Sequence, residues 1–355
     1  MSLNPAAWST QLRHELGARN RLWARGRAHV ESYGSPPVIV YAPDEAGHGN
    51  FYDPAYRAIE GNPAWLRRFN KVHAQGRALP KAETGRRWRE LDSSMSSDAL
   101  LMNIFCAPGV VESPALRGAL GLPAPAVPEF GWKARVPLAS GRFDRTEVDL
   151  RLGPLLLEAK LTESDFQTRA AAIVEGYRDF DLVFDRDLLP RTELRTARLR
   201  APAESPENYS QEFESLLANE FAAQDSATHT SPQAPAQAPP IQLTPAPDTG
   251  IPAYLGYQLI RNVLAAHAEG ASFCVLHDAR RPDLREAWYQ IMAAVRSADL
   301  RTRLAVLTWQ ELSALLPPPL QEFLDLKYGI VAPGQAPSSP GEGPISSGPE
   351  LGIGL

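Results

Sequence analysis

Cysteine is nearly absent from this 355-residue chain, with only Cys106 and Cys274 present. Both sit in apolar runs, which suits buried free thiols and leaves no framework for disulfides or a cysteine zinc site. Lysine is scarce too: Lys71, Lys81, Lys133, Lys160 and Lys327 are the five among 36 Lys and Arg. His48, His73, His267 and His277 are dispersed and lack zinc-binding spacing. No phosphate-loop or dinucleotide glycine pattern occurs, so use of ATP or NAD is not expected. No apolar run approaches the length of a membrane-spanning helix. Met1 to Trp8 lacks a charged-then-apolar leader, so a cytoplasmic location without membrane partners is expected. No internal repeat is evident.

What is present is ordinary for a soluble globular protein, with 44% hydrophobic and 22% charged residues. The length can bury a substantial core, as one large domain or two small ones. A net charge of −5 argues against a protein that simply coats nucleic acid. Its distribution is uneven: residues 1–90 hold fourteen Arg and Lys against eight Asp and Glu. Arginine suits bidentate phosphate contacts, which nominates Arg67, Arg68 and Arg87 as DNA-binding. A chain-wide preference for Arg over Lys explains the same count without function.

The densest chemical signal is Glu147-Val148-Asp149-Leu150-Arg151-Leu152-Gly153-Pro154-Leu155-Leu156-Leu157-Glu158-Ala159-Lys160. It reads as two strands joined by a Gly-Pro turn. Strand alternation puts Glu147 and Asp149 on one face of the first strand, and Leu156, Glu158 and Lys160 on one face of the second. Pairing through a tight turn brings Asp149 close to Glu158 and Lys160. Two carboxylates and an ammonium at the end of an apolar strand are costly without a charged partner. A divalent cation such as Mg²⁺ or Mn²⁺ is the natural partner for hard oxygen ligands.

Around this hairpin the pattern is α/β. A helix is expected over residues 4–30, a strand at 38–41, and a mainly helical stretch over 54–79. Ser96 or Ser97 caps a short buried helix from Ala99 to Phe105. A strand over 132–138 precedes the hairpin. A helical stripe begins at Tyr254, Phe273–Leu276 is a buried strand, and Pro282 opens another helix. Leu304–Leu307 is a further strand, and a final helical region carries Leu312 to Leu324. The last two long helices suit crossovers between parallel strands. Within an insertion at 161–253, helices are expected at 163–176 and 208–222, and disorder at 223–250. Residues 331–355 read as a disordered tail. The division is then an N-terminal, mainly helical extension at 1–90 and an α/β domain at 91–330.

The spacing of Asp149, Glu158 and Lys160 resembles the motif of the PD-(D/E)XK nuclease superfamily, with Val148 where the motif has proline. The order helix, three strands, helix, strand, helix, strand agrees with it. Several stretches also resemble one group within that superfamily, inferred to be restriction endonucleases. They are His48-Gly49-Asn50-Phe51, Ser96 to Phe105, His277-Asp278-Ala279-Arg280-Arg281-Pro282-Asp283-Leu284, Thr308-Trp309-Gln310-Glu311-Leu312 and Lys327-Tyr328-Gly329-Ile330. The resemblance implies a restriction-endonuclease-like core with a central mixed β-sheet flanked by helices, DNA as partner, and a homodimer as the assembly to test. It implies Asp149 and Glu158 as metal ligands, the Ala159 carbonyl as a third, and Lys160 acting on the attacking water or the developing charge. Glu147, Glu90, Asp98 and Gln258 are additional candidates. Arg280-Arg281 is a candidate phosphate contact, and His277-Asp278 a weaker candidate dyad. The leading expectation is an Mg²⁺- or Mn²⁺-dependent DNA endonuclease of restriction type. A nuclease of DNA ends or repair intermediates, and a non-catalytic nuclease-fold protein binding nucleic acid or a partner, are the alternatives.

Overall fold

The computed structural model describes residues 5–45, 47–72, 79–80, 87–194 and 250–339. Its N-terminal segments are the helices α1 (Pro5–Trp23), α2 (Asp53–Gly61), α3 (Pro63–Phe69) and α4 (Ser97–Phe105). Then come strands β1 (Pro128–Lys133), β2 (Glu147–Leu152) and β3 (Leu155–Ala159). The remainder is α5 (Tyr257–Glu269), β4 (Ser272–His277), α6 (Pro282–Ala294), β5 (Leu304–Thr308), α7 (Trp309–Ser313) and α8 (Pro318–Tyr328).

The Gly153-Pro154 turn forms as its composition requires, with Gly153 at φ +59°, a region glycine enters without cost. It sets the register Leu152↔Leu155, Arg151↔Leu156 and Leu150↔Leu157. β1 adds antiparallel to β2, while β3, β4 and β5 run parallel, giving a mixed sheet in the order β5-β4-β3-β2-β1. The parallel half is joined through α5 and α6, as crossover connections demand. Every residue of β3 is buried, the mark of a central strand covered on both faces. On one face Leu150, Leu155, Leu157 and Leu276 meet residues of α1, α2, α4 and α8. On the other, Leu156, Phe273 and Val275 meet α5 and α6. Each such leucine contributes about 1.5–3 kcal/mol by leaving water.

Several expected boundaries move for local reasons. The 54–79 helix splits at Asn62-Pro63, where the Asn62 side chain caps α3 and Pro63 takes its first turn. The strand expected at 132–138 divides into β1 and a two-residue pairing of Val136–Pro137 with Phe143–Asp144. Residues 251–255 are a strand, and Gly256 at φ +71° turns it into α5, so the helix begins at Tyr257. Residues 163–176 are not a helix. Thr168–Ala170 instead pairs with Tyr254 and its neighbours in a three-stranded sheet with Arg191–Leu194, leaving only the short helix Ala171–Val174. Non-local pairing overrides the alanine-rich helix propensity there. The expected helix at 208–222, nearly all of 223–250 and residues 340–355 lie outside the described residues.

Candidate active site

The β2–β3 ladder stops at Leu150↔Leu157, just before the charged residues. Beyond it the Ala159 N–H donates to Asp149 Oδ2 at 2.8 Å, so a side chain takes the place of the ladder acceptor. Gly131 lies between the β1–β2 pairs Phe130↔Leu150 and Trp132↔Val148, with φ +64°. A Cβ there would come within 3.2 Å of Arg68 Nη1 and 3.3 Å of Glu147 Oε2. The β2–β3 ladder thus ends before Asp149, and glycine at 131 leaves room for the Arg68 and Glu147 side chains beside it.

Glu158 and Lys160 are only 2% and 5% exposed. Lys160 Nζ donates to Glu158 Oε1 at 2.5 Å, and Asn262 Nδ2, from α5, donates to Glu158 Oε2 at 2.8 Å. The Lys160 backbone is clamped as well: its N–H donates to Leu276 O at 2.8 Å, and its carbonyl accepts from Trp309 Nε1 at 2.9 Å. The Phe166 ring lies 5.5 Å from Nζ. Burial disfavours the Lys160 ammonium, but Glu158, Asp149 and Glu163 outweigh it and raise its pKa.

Asp98, in the first turn of α4, faces the same charges. Burial raises its pKa, and repulsion from Glu163 adds to the rise against the pull of Arg68. Burial also raises the Asp149 pKa well above the usual carboxylate range, with repulsion from Glu158 and then Asp98 adding to it. Asp149 Oδ1 has no protein partner among the described residues. Four carboxylates, Asp98, Asp149, Glu158 and Glu163, thus face the cations Lys160 and Arg68, with Lys71 also drawing on Asp98.

The remaining candidates divide. Glu147 pairs with Arg68 at 3.0 Å and Lys71 at 3.5 Å, and Glu90 with Lys71 at 3.2 Å, so both sit in an outer ion-pair chain. Gln258 is on the right helix but one turn early; its backbone N–H bonds the Phe166 carbonyl, and Asn262 makes the contact to Glu158. Arg68 does not project outward for DNA. Its side chain is 10% exposed and bridges Asp98 and Glu147. Arg67 and Arg87 are exposed. Arg280 and Arg281 are not free phosphate contacts either. Arg280 binds Asp278 and Glu15, while Arg281 binds Asp283 and the Glu163 and Ser164 carbonyls. The His277-Asp278 pair is not a side-chain dyad, because His277 Nδ1 faces the Asp278 backbone carbonyl at 2.8 Å.

Sequence reasoning missed Asn262 and Glu163. Glu163 accepts from Ser97 Oγ at 2.6 Å and from the Leu161 N–H at 2.7 Å, tying α4 to the chain leaving β3. Its one sequence signal was proximity to Lys160.

Fold and cluster define an α/β protein with a buried, acid-rich sheet edge. Among protein families, residues 18–329 match the one described as Restriction Endonuclease associating with ARP. The chain belongs to that family, which makes it a restriction-type nuclease in class. No curated protein and no solved structure matched. Among the described residues, no helix is long and apolar enough to cross a membrane.

Proposed function

We propose that the chain is a metal-dependent DNA endonuclease with a PD-(D/E)XK-type centre built from Asp149, Glu158 and Lys160. The observation that carries this reading is the end of the β2–β3 ladder, where Asp149 keeps one oxygen without a partner among the described residues, beside a Glu158–Lys160 pair. Family membership supplies DNA as the expected substrate.

The donor chemistry fits a hard divalent cation. No three His, Cys, Asp or Glu side chains already form a coordination cluster among the described residues. Mg²⁺ does not need such a cage, because it keeps several waters and takes one or two carboxylates. Asp149 and Glu158 would hold it. The Ala159 carbonyl would add a third oxygen, since a strand residue's C=O projects to the same side as its N–H, which here meets Asp149. Bound there, Mg²⁺ or Mn²⁺ lowers the pKa of a water and neutralises phosphoryl charge.

The chain's own residues do the rest. Lys160 presents an ammonium that orients the attacking water or stabilises the charge developing on phosphate. Glu158 holds that ammonium through Oε1, while Asn262 fixes its other oxygen. Trp309 and Leu276 lock the Lys160 backbone, and burial with the Glu158 contact holds its ammonium in place. Arg68 keeps Asp98 and Glu147 ionically occupied beside the centre.

The test is incubation of purified protein with supercoiled, linear and single-stranded DNA in Mg²⁺, Mn²⁺ or EDTA. Cleavage of supercoiled circles that EDTA abolishes is the expected result. Asp149→Asn, Glu158→Gln and Lys160→Ala should each cut activity by about 10²–10⁴-fold, the range for losing an acid–base or charge-stabilising group. Wild-type-like cleavage by any two of them sinks the assignment. Digestion from ends alone, with circles untouched, would favour the end-processing alternative.

A further inference from the structure

A second site lies away from the sheet edge. A cavity of about 830 Å³ opens between α1, the paired residues Pro43–Asp44 and Gly47–His48, the start of α2, and α8. None of Asp98, Asp149, Glu158, Lys160 or Asn262 lines it. The separation is set by α1. Arg13 Nε donates to the Thr162 carbonyl near the catalytic candidates, and Trp23, at the cavity, lies about 15 Å further along the helix.

The walls carry three kinds of group. Trp23, Tyr52 and Phe323 supply flat rings, with Phe323 at 5.6 Å from Trp23 and 5.7 Å from Tyr52 between centroids. Arg19, Arg25, Arg27 and Arg57 supply guanidinium groups. Of these, the Arg25 and Arg57 side chains are exposed and make no hydrogen bond or ion pair with any described residue. Glu322, whose side chain is also exposed and unpartnered among the described residues, Asp53 and Asp44, which accepts from the Ala28 N–H, supply carboxylates.

The site is rigid on one side. Trp23 Nε1 donates to the Gly49 carbonyl at 2.8 Å, and the Arg27 guanidinium lies 3.8 Å over its ring. His48 Nε2 meets Asp92 at 3.0 Å, and Asn50 Nδ2 donates to the Leu91 and Ser93 carbonyls. Gly49 has no room for a side chain, because a Cβ would lie 2.5 Å from the Tyr41 ring. His48, Gly49 and Phe51, which have no part in the proposed catalytic centre, thus form the fixed wall of this cavity, with Asn50 anchoring them from behind.

The volume falls in the range of small-ligand sites. A simple inorganic anion would use the arginines but not the rings. A purely apolar ligand would leave the guanidinium groups without purpose. A nucleotide uses all three: its base lies against aromatic faces, its phosphate takes arginine, and an exocyclic amine donates to a carboxylate. We propose that this cavity binds a nucleotide whose base carries an exocyclic amine, either free or turned out of a DNA strand.

The test uses the full chain carrying Asp149→Asn, so that DNA stays intact, with wild type in EDTA as a parallel. AMP, CMP and TMP are titrated by calorimetry. A duplex with one unpaired adenosine is compared with its fully paired counterpart by fluorescence anisotropy. AMP and CMP should bind at least tenfold more tightly than TMP if the ligand is a free nucleotide. Preference for the unpaired duplex marks the strand-borne source. In either case Arg25→Glu with Arg57→Glu should weaken binding tenfold or more without changing the melting temperature, and Glu322→Gln should narrow the preference for amine-bearing bases. Absence of binding in every arm, equal binding of TMP, or binding indifferent to the double arginine variant overturns the proposal. These outcomes do not depend on cleavage, so failure of the nuclease reading would be seen separately.

Discussion

Asp144 and Asp149 sit on one run of chain and meet opposite fates. Burial alone would raise the Asp144 pKa, but Arg261 and hydrogen bonds from Thr146 and Tyr177 outweigh it and hold it below the usual carboxylate range. Arg261 Nε reaches Asp144 Oδ2 at 3.4 Å, and Thr146 donates twice to Oδ1, from its N–H and its hydroxyl. Asp149, by contrast, has a single backbone donor, and its neighbours are mostly acids. The first acid is satisfied and serves the fold. The second is kept short of partners and is available for chemistry. The Asp144 network ends at Glu158 rather than at Asp149, because Arg261 Nη1 donates to Asn262 Oδ1 at 2.8 Å and Asn262 donates onward to Glu158.

Removing the cation of the satisfied pair should do most damage. Arg261→Met leaves Asp144 buried and unpaired, a loss of about 3–5 kcal/mol. Urea titration measures it, and a change below about 1 kcal/mol would show that Asp144 does not rely on Arg261. Asn262→Ala should be milder and of another kind. It frees one Glu158 oxygen, so kcat should fall about 10–100-fold, the cost typical of losing a partner that orients a metal ligand. KM for DNA should hold, and Asn262→Asp should not rescue, since a carboxylate cannot donate to Glu158. A rise in KM together with the fall in kcat, and a lower melting temperature, would mean a purely structural role.

The pH behaviour of the two acids should have opposite sign. Asp149 has a raised pKa in the folded state, so metal-free protein loses stability as pH climbs from the usual carboxylate range toward the folded value. Asp149→Asn removes that loss. A relief of about 1 kcal/mol would raise Tm by roughly 2–4 °C at pH 7 in EDTA. Asp144 has a lowered pKa, so its contribution is complete above the unfolded value and disappears as pH falls through the folded one. Asp144→Asn should therefore lower stability at neutral pH and flatten the acid limb. Scanning calorimetry from pH 3 to 8 separates the two, and a lower Tm for Asp149→Asn at pH 7 would contradict the contrast. Smallest of all should be charge reversal at exposed Arg67 and Arg87. For every phosphate that the reversed side chain no longer neutralises, the slope of log affinity against log salt should flatten by about 0.9, equally for unrelated sequences. An unchanged slope would show that both are merely solvated.

The hairpin strands, their turn, the two later parallel strands and the crossover helices were legible because apolar periodicity and Gly-Pro chemistry act locally. The Asp149, Glu158 and Lys160 convergence followed from turn position alone. Asn262 was not legible: periodicity finds the apolar face of α5 but does not say which polar residue, Gln258 or Asn262, faces inward beside it. Glu163 was hidden by Thr162-Glu163-Ser164-Asp165, which imitates a helix start before an alanine-rich run. The chain instead stays irregular there, because Arg281 holds the Glu163 and Ser164 carbonyls from far away in sequence. Arg68 illustrates the same limit. Its charge suggested phosphate, and only the tertiary structure shows two carboxylates already on it.

The three-stranded sheet beside the core has a consequence for how this chain tolerates change. Leu194 and Ile251 are directly paired across an antiparallel ladder, so the chain leaves at one and returns at the other about 5 Å away. Whatever lies at 195–250 is therefore attached at a seam whose two lips the surrounding sheet already holds together. Loop-closure cost grows only slowly with length, so the seam is nearly indifferent to how much chain passes through it. In engineering terms it is a socket: the paired lips are the place to fit a shorter linker, a reporter domain with adjacent termini, or a tether to another protein.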